Sequence, residues 1–345
     1  MYVPDFLSVR SYDRNGIHYI APEWVNDISH DLMTRGNKFY AVWDDRNGVW
    51  STSIFDLRRI VDNVLEQEYN HYTKNAHESD NPAKVLYLRN DSNKVFREFL
   101  KYCSNREDSF VSLNTKVVFA DQKPKREDHA SFKLPYSMHE GDMSAYDQIM
   151  HTIYSPSELK KIEWAIGAVI AGETIDIQKA IVLYGPGGSG KSTTLDLVKA
   201  LFTADDGNKY YTVFNAKDLI SGRNQFATTA FKNNSPIAIQ DDGDLSKSYD
   251  TTVFKSIISH KEIIVNEKNK GLYSITPVSL CFLATNDTVD FKKLKDGMTR
   301  RMLIAYQTGH KITPKSKFLK LNRQMLKYEL GAIAKHCYDV YMSFG

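Results

Sequence analysis

Eight consecutive residues, Gly185-Pro186-Gly187-Gly188-Ser189-Gly190-Lys191-Ser192, have the types and the spacing to hold a phosphate chain. An apolar run, Ile181-Val182-Leu183-Tyr184, precedes them, and a helix-compatible stretch from Thr193 to Phe202 follows. The pattern G-x-x-x-x-G-K-S between a strand and a helix is a P-loop. Its glycines and Ser189 let the backbone curl so that successive N–H groups point at phosphate oxygens. The helix that follows adds its positive dipole end. Lys191 is expected to reach the β- and γ-phosphates and the Ser192 hydroxyl to bind Mg²⁺, with Thr193 counted in the same cradle. The chemistry implied is nucleotide binding, with ATP and Mg²⁺ as the ligands.

A second constellation lies downstream. Pro236-Ile237-Ala238-Ile239-Gln240 reads as an apolar strand that ends in Asp241-Asp242. Acidic turns after strands are common, but one that follows a P-loop gains a role. Asp241, at the strand end, is placed to hold Mg²⁺, and Asp242 to orient and polarise an attacking water. Gln240 is unusual, because an apolar residue would be more ordinary at that point of a buried strand.

These residues need elements to position them. Ser155-Pro156-Ser157-Glu158 reads as a capping box with Pro at the first helical position. Leu159, Ile162, Ile166, Val169 and Ile170 form the apolar stripe of that helix, and Gly172 is its stop signal. Further strands are expected at Tyr210–Phe214, Glu262–Glu267, Leu272–Ile275 and Val278–Ala284, with helices at Asn224–Phe231 and, capped by Asp250, Thr251–Ser259. Lys268-Asn269-Lys270-Gly271 makes a basic turn between two of the strands. The implied class is α/β: a central parallel sheet flanked by helices, preceded by a smaller α+β domain.

In the first 150 residues, Lys38–Trp43 and Val49–Ser53 flank Asp44-Asp45-Arg46-Asn47-Gly48, a hairpin signal. Asp56 is expected to cap a helix with Leu57, Ile60, Val61, Val64 and Leu65 on one face. A second amphipathic helix carries Val95, Phe96, Phe99, Leu100 and Cys103, and a strand spans Asn114–Phe119. Residues 1–25 show no clear pattern. Asp121 to Gly141 reads as an exposed linker region. Trp24, Trp43 and Trp50, interleaved with Arg35, Lys38 and Arg46, have two readings. They are a stacking surface for single-stranded bases or, more simply, the core of a small sheet. The division expected is 1–150, 151–310 and a helical segment 311–345.

Bulk properties bound these readings. The chain has 345 residues, 42% hydrophobic and 25% charged, an ordinary globular composition with room for two domains. A net charge of +3 neither demands nor excludes nucleic acid, so any basic surface must be local. Cys103, Cys281 and Cys337 form no C-x-x-C pair and no zinc spacing, and read as reduced thiols of a cytoplasmic compartment. Met1–Arg10 lacks the apolar core of a signal peptide, and no apolar stretch approaches the ~20 residues of a spanning helix. A membrane partner is therefore not expected.

Taken in order, Gly185–Ser192, Ile237–Asp242, Val265–Gly271, Ala284–Asn286 and Arg300-Arg301 resemble the superfamily-3 helicases, AAA+ replicative motors of DNA viruses, phages and plasmids. The branch that looks most similar is that of phage and poxvirus-type primase-helicases. The aromatic hairpin around Trp43 and Trp50, Leu134-Pro135-Tyr136, Trp164–Gly167 and Glu329–Ile333 extend the likeness over roughly residues 30–335. The resemblance implies an AAA+ fold, with Asn286 as sensor of the γ-phosphate. It makes Arg301 or Arg300 an arginine finger for a neighbouring subunit's ATP. Lys268, Asn269 and Lys270 become the tip of a DNA-contacting hairpin. A finger acting in trans requires a homo-oligomeric ring, a hexamer by family analogy. The implied activity is ATP-driven, 3′-to-5′ movement on single-stranded or forked DNA, in the host cytoplasm for a viral protein. No primase half is visible, so priming would reside in a separate primase or polymerase. Two rivals stay open: an ATP-gated loader or regulator, and a DNA-packaging motor.

Overall fold

The computed structural model describes residues 2–25, 28–36, 39–75, 81–89, 92–111, 113–205, 207–221, 224–241, 243, 251–268, 271–286 and 296–344. The chain forms two compact units, Met1–Asn114 with Lys123–Ser131, and Thr115–Gln122 with Phe132–Gly345. The second unit begins ahead of residue 150 and includes the C-terminal helices.

In the first unit, β1 (Leu7–Arg14) and β2 (Ile17–Trp24) form a hairpin over residues that showed no clear pattern. Asn15 and Gly16 make its two-residue turn, both at positive φ, which is the backbone this turn requires. β3 (Leu32–Arg35), β4 (Phe39–Asp44) and β5 (Val49–Ser51) form an antiparallel sheet in which Trp43 faces Trp50, as the hairpin signal predicted. α1 (Ile54–Asn75) buries the expected stripe from Leu57 to Leu65. Asp56 does not cap it. Ser53 accepts the Phe55 and Leu57 N–H groups instead, while Asp56 accepts from the Ser51 hydroxyl and pairs with Arg59. β6 (Ala83–Val85) joins β2 in parallel, and α2 (Ser92–Ser104) adds Val95, Phe99 and Cys103 to the core.

The tryptophans belong to the interior. Trp43 and Trp50 are 4% and 3% exposed and meet edge to face, while Trp24 packs on Phe99. Stacking of bases on the first two is excluded, because their faces are already covered; Lys38 lies outside the described residues. Residues 123–131 are no simple linker either. Arg126 inserts there, pairing with the buried Asp31 at 2.7 Å and lending its carbonyl to Trp50 Nε1.

β7 (Asn114–Val118) and β8 (Ala130–Lys133) form a two-stranded sheet. In the second unit, α3 (Ser144–Ile153) and α4 (Pro156–Ala171) lead to β9 (Ala180–Tyr184), α5 (Lys191–Leu201), β10 (Tyr211–Val213), α6 (Ala216–Ser221) and β11 (Ile237–Gln240). Then come α7 (Thr252–Ile258), β12 (Ile263–Glu267), β13 (Gly271–Ile275), β14 (Leu280–Thr285), α8 (Asp296–Thr299), β15 (Met302–Tyr306), α9 (Lys315–Tyr328) and α10 (Leu330–Met342). Five strands make one all-parallel sheet in the order β10-β11-β14-β9-β15.

Both faces of the three central strands, β11, β14 and β9, are buried, as a parallel sheet between helices requires. Alternate residues serve the two faces. Ile181, Leu183, Ile237, Ile239, Phe282 and Ala284 enter one core with α3, α4, α5, α9 and α10. Ala180, Val182, Ala238, Cys281 and Leu283 enter the other with Phe214, Phe231 and α7. Gly172 ends α4 in the left-handed conformation, as its stop signal predicted. Ser155 precedes α4 but makes no capping bond through its hydroxyl, and Glu158 turns instead to Lys161 and to the Tyr306 N–H. Residues 224–231 yield only a 3₁₀ turn, Ala227–Phe231, rather than a helix. Asp250 lies outside the described residues. Among the described residues, no helix is long and apolar enough to cross a membrane.

Candidate nucleotide-binding site

The P-loop joins β9 to α5, at the C-terminal edge of a parallel sheet, where α/β folds place their ligands. The loop turns on Gly188 and Gly190, both at positive φ, and Gly190 sits at the N-cap of α5. A β-carbon on Gly190 would also strike Ile153 at 2.7 Å. Gly187 faces open space. The start of α5 thus presents Lys191, Ser192 and Thr193 with the dipole end of an eleven-residue helix behind them.

Lys191 is 7% exposed. Its ammonium donates to Gly185 O at 2.6 Å, Pro186 O at 2.9 Å and Asn286 Oδ1 at 2.6 Å. Asn286 directly follows β14, the strand beside β9, so the residue named as sensor lies against the P-loop lysine. Ser192 Oγ is 3.4 Å from Asp241 Oδ1, and Asp241 directly follows β11. Four of the expected site residues therefore converge from the ends of three neighbouring strands. Asp242 lies outside the described residues.

Gln240 has a structural reason. Its buried Oε1 accepts the Ala216 N–H at 2.8 Å and so ties the start of α6 to the end of β11. Gly243 packs against the same side chain, and its N–H donates to Ala284 O on β14. The acid-bearing turn is thereby fastened to the Asn286 strand.

Gln307 and Tyr154 support the loop and were not anticipated from the sequence. Gln307 Oε1 hydrogen-bonds the Ser189 hydroxyl, and Gln307 Nε2 donates to Tyr154 Oη at 3.0 Å. Tyr154 Oη lies 2.9 Å from Thr194 Oγ1 on α5. Burial pushes the Tyr154 phenol up to about 12, so it remains a neutral hydrogen-bonding post. Met302–Tyr306 is a short apolar run that marks β15, but nothing local to Gln307 signals its role.

The remaining expected residues lie elsewhere. Arg301 is committed within the chain: Nε donates to Ser259 Oγ at 2.6 Å and Nη1 to Gly297 O at 2.5 Å. Desolvation and the neighbouring Arg300 lower its pKa. Arg300 is exposed, and its side chain makes no hydrogen bond or ion pair among the described residues. β12 and β13 form a separate antiparallel hairpin with Lys268 exposed just beyond β12. Glu267, at the end of β12, pairs with Lys232 and accepts from Tyr273. Asn269 and Lys270 lie outside the described residues.

Comparison with known proteins adds three findings. Residues 183–301, from the P-loop strand to Arg301, match a family model described as a family of unknown function, DUF5906. No curated protein matches the chain. Among solved structures, the chain is similar to the apo structure of the NrS-1 C-terminal region (305–718), with a TM-score of 0.52 and 12% identity over 90% of this chain and 68% of that one. Two A-form apo structures of the same region give TM-scores of 0.48 and 0.49 at 13% identity, covering 88% and 90% of this chain and 65% and 68% of theirs. At such identity the likeness is one of fold, and the fold it extends over is nearly the whole chain.

Proposed function

We propose that the chain is an ATP-driven DNA translocase of the superfamily-3 helicase kind, serving replication of a phage or mobile element. The observation that carries this reading is the convergence of Lys191, Ser192, Asp241 and Asn286. β14 stands between the P-loop strand and the acid-bearing strand, so Asn286 falls between the phosphate cradle and the end of β11 that leads into Asp241. That placement suits a γ-phosphate sensor, and it supports the AAA+ reading of the sheet.

The site residues have definite tasks in this scheme. Lys191 exchanges its bonds to Gly185 O, Pro186 O and Asn286 for phosphate oxygens, which frees the Asn286 amide to face the γ-phosphate. Asn286 and Asp242 orient the attacking water, and Asp242 accepts its proton. The Ser192 hydroxyl and the Asp241 carboxylate, oxygen donors 3.4 Å apart, fit a hard cation such as Mg²⁺. Bound there, Mg²⁺ would neutralise charge developing on the β- and γ-phosphate oxygens.

Assembly and DNA contact extend the proposal. Arg301 is held by Ser259 and Gly297, so exposed Arg300 is the better finger for a neighbouring subunit's ATP. A homo-oligomeric ring, hexameric by analogy, would complete each site and thread single-stranded DNA past Lys268, Asn269 and Lys270. Those lysines would grip phosphates without reading bases. Priming would fall to a separate primase or polymerase. The exposed Lys268 just beyond β12, on a hairpin outside the five-stranded sheet, favours translocation over a loader, regulator or packaging role. Unwinding of forked duplexes with a 3′ or a 5′ tail tests the reading. ATP-dependent strand separation that requires one tail polarity is expected, while ATP hydrolysis indifferent to DNA would point to a protein-gating switch.

A further inference from the structure

The strap between β15 and α9 brings a second lysine to the P-loop. Its start is fixed on two sides. The Gln307 N–H donates to Tyr184 O at 3.0 Å and the Thr308 N–H to Ile153 O at 2.8 Å. Thr308 Oγ1 donates to Thr152 O at 2.6 Å, and the His310 N–H bonds back to that same hydroxyl at 3.1 Å. The chain therefore leaves the sheet edge in a set direction and runs beside the loop before α9 begins. Lys311 lies on this run, and a β-carbon on Gly188 would sit 3.4 Å from Lys311 Nζ. Lys311 is exposed, and its side chain makes no hydrogen bond or ion pair among the described residues.

An ammonium group with no counter-ion among the described residues, lying beside a loop shaped for anions, calls for an anion between them. We propose that Lys311 is a second phosphate-binding residue of the site, contacting the polyphosphate of the bound nucleotide from the strap while Lys191 contacts it from α5. This rests on the nucleotide reading of the P-loop and adds a residue to it. The contact is to phosphate, so it strengthens with the number of phosphates and is indifferent to the base. Gln307 then has two uses: it braces Ser189, and it anchors the strap that delivers Lys311.

The test is nucleotide binding to the full chain, by fluorescence of N-methylanthraniloyl-ATP and -AMP and by competition with inorganic tripolyphosphate. Wild type, Lys311→Ala, Lys311→Arg and Lys191→Ala are compared, each with its thermal melt. Lys311→Ala is expected to weaken ATP and tripolyphosphate binding roughly tenfold, the size of one charge-assisted hydrogen bond. AMP affinity and melting should be unchanged, and Lys311→Arg should recover most of the loss. If wild type binds ATP, Lys191→Ala abolishes binding and Lys311→Ala matches wild type, the proposal for Lys311 fails and the nucleotide reading stands. A lowered melting temperature with equal losses for ATP and AMP would also overturn it, as a structural role. Absence of ATP binding by wild type would overturn both.

Discussion

Gly185 has no room for a side chain, and that single fact links the P-loop to the edge of the sheet. A β-carbon there would lie 2.6 Å from Gln307 Oε1 and 3.0 Å from Ser189 Oγ. Gly185→Ala should push Gln307 away from Ser189 and destabilise the unit by about 1–3 kcal/mol, the usual cost of overpacking. Adding Gln307→Ala removes the nearest obstructing atom, Oε1, while its β-carbon stays at 3.0 Å, and should restore part of the melting temperature. A double variant no more stable than Gly185→Ala would show that the obstruction lies elsewhere. The P-loop and Asp241 at its strand end were legible as residue types in the sequence, and Asn286 only through the family resemblance. Gln307 was not, because its use depends on a strand pairing with β9 from far along the chain.

At the scale of elements, α4 and α10 cross so closely that Gly167 admits no β-carbon, since one would fall 2.1 Å from Cys337 O. The same crossing holds a polar cluster. Buried Glu163 on α4 accepts from Tyr146 Oη at 2.9 Å and from His336 Nε2 on α10 at 3.0 Å. The hydrogen bond to Glu163 raises the His336 pKa above its ordinary 6.5, with burial opposing. A raised folded-state pKa stabilises the fold when the group is protonated. That contribution is fully present below about pH 6.5 and is lost as pH rises through the folded value. His336→Gln should therefore lower the melting temperature more at pH 5.5 than at pH 8.5; an equal deficit at both would mean that packing, not charge, is what His336 supplies. α4 was legible because Pro156, the apolar stripe and Gly172 are local signals. α6 was not: it has six residues, and its start is held by Gln240 from the next strand. The β1–β2 hairpin carried one plain signal, Asn15-Gly16, within otherwise mixed residues.

At the scale of the molecule, the apolar strands flanking the P-loop pointed to a buried parallel sheet, and the structure places helices on both of its faces. The order of strands was not legible, because it is fixed by pairings between segments far apart in the chain. Arg300 and Arg301 carry the prediction that belongs to the assembly. Arg301→Ala should lower the melting temperature, because it releases α8 from Ser259. Arg300→Ala should melt as wild type does, yet when mixed with wild type it should depress ATP turnover more steeply than its share of subunits. A decline in simple proportion would place Arg300 outside any neighbouring site. The central claim is that one P-loop site turns over ATP in response to DNA. Its most direct test is steady-state ATP hydrolysis with Mg²⁺, with and without single-stranded DNA, in wild type and Lys191→Ala. Turnover that DNA stimulates and that falls at least ~100-fold in Lys191→Ala is the predicted result. Turnover that is absent, indifferent to DNA or unchanged by loss of Lys191 would contradict it.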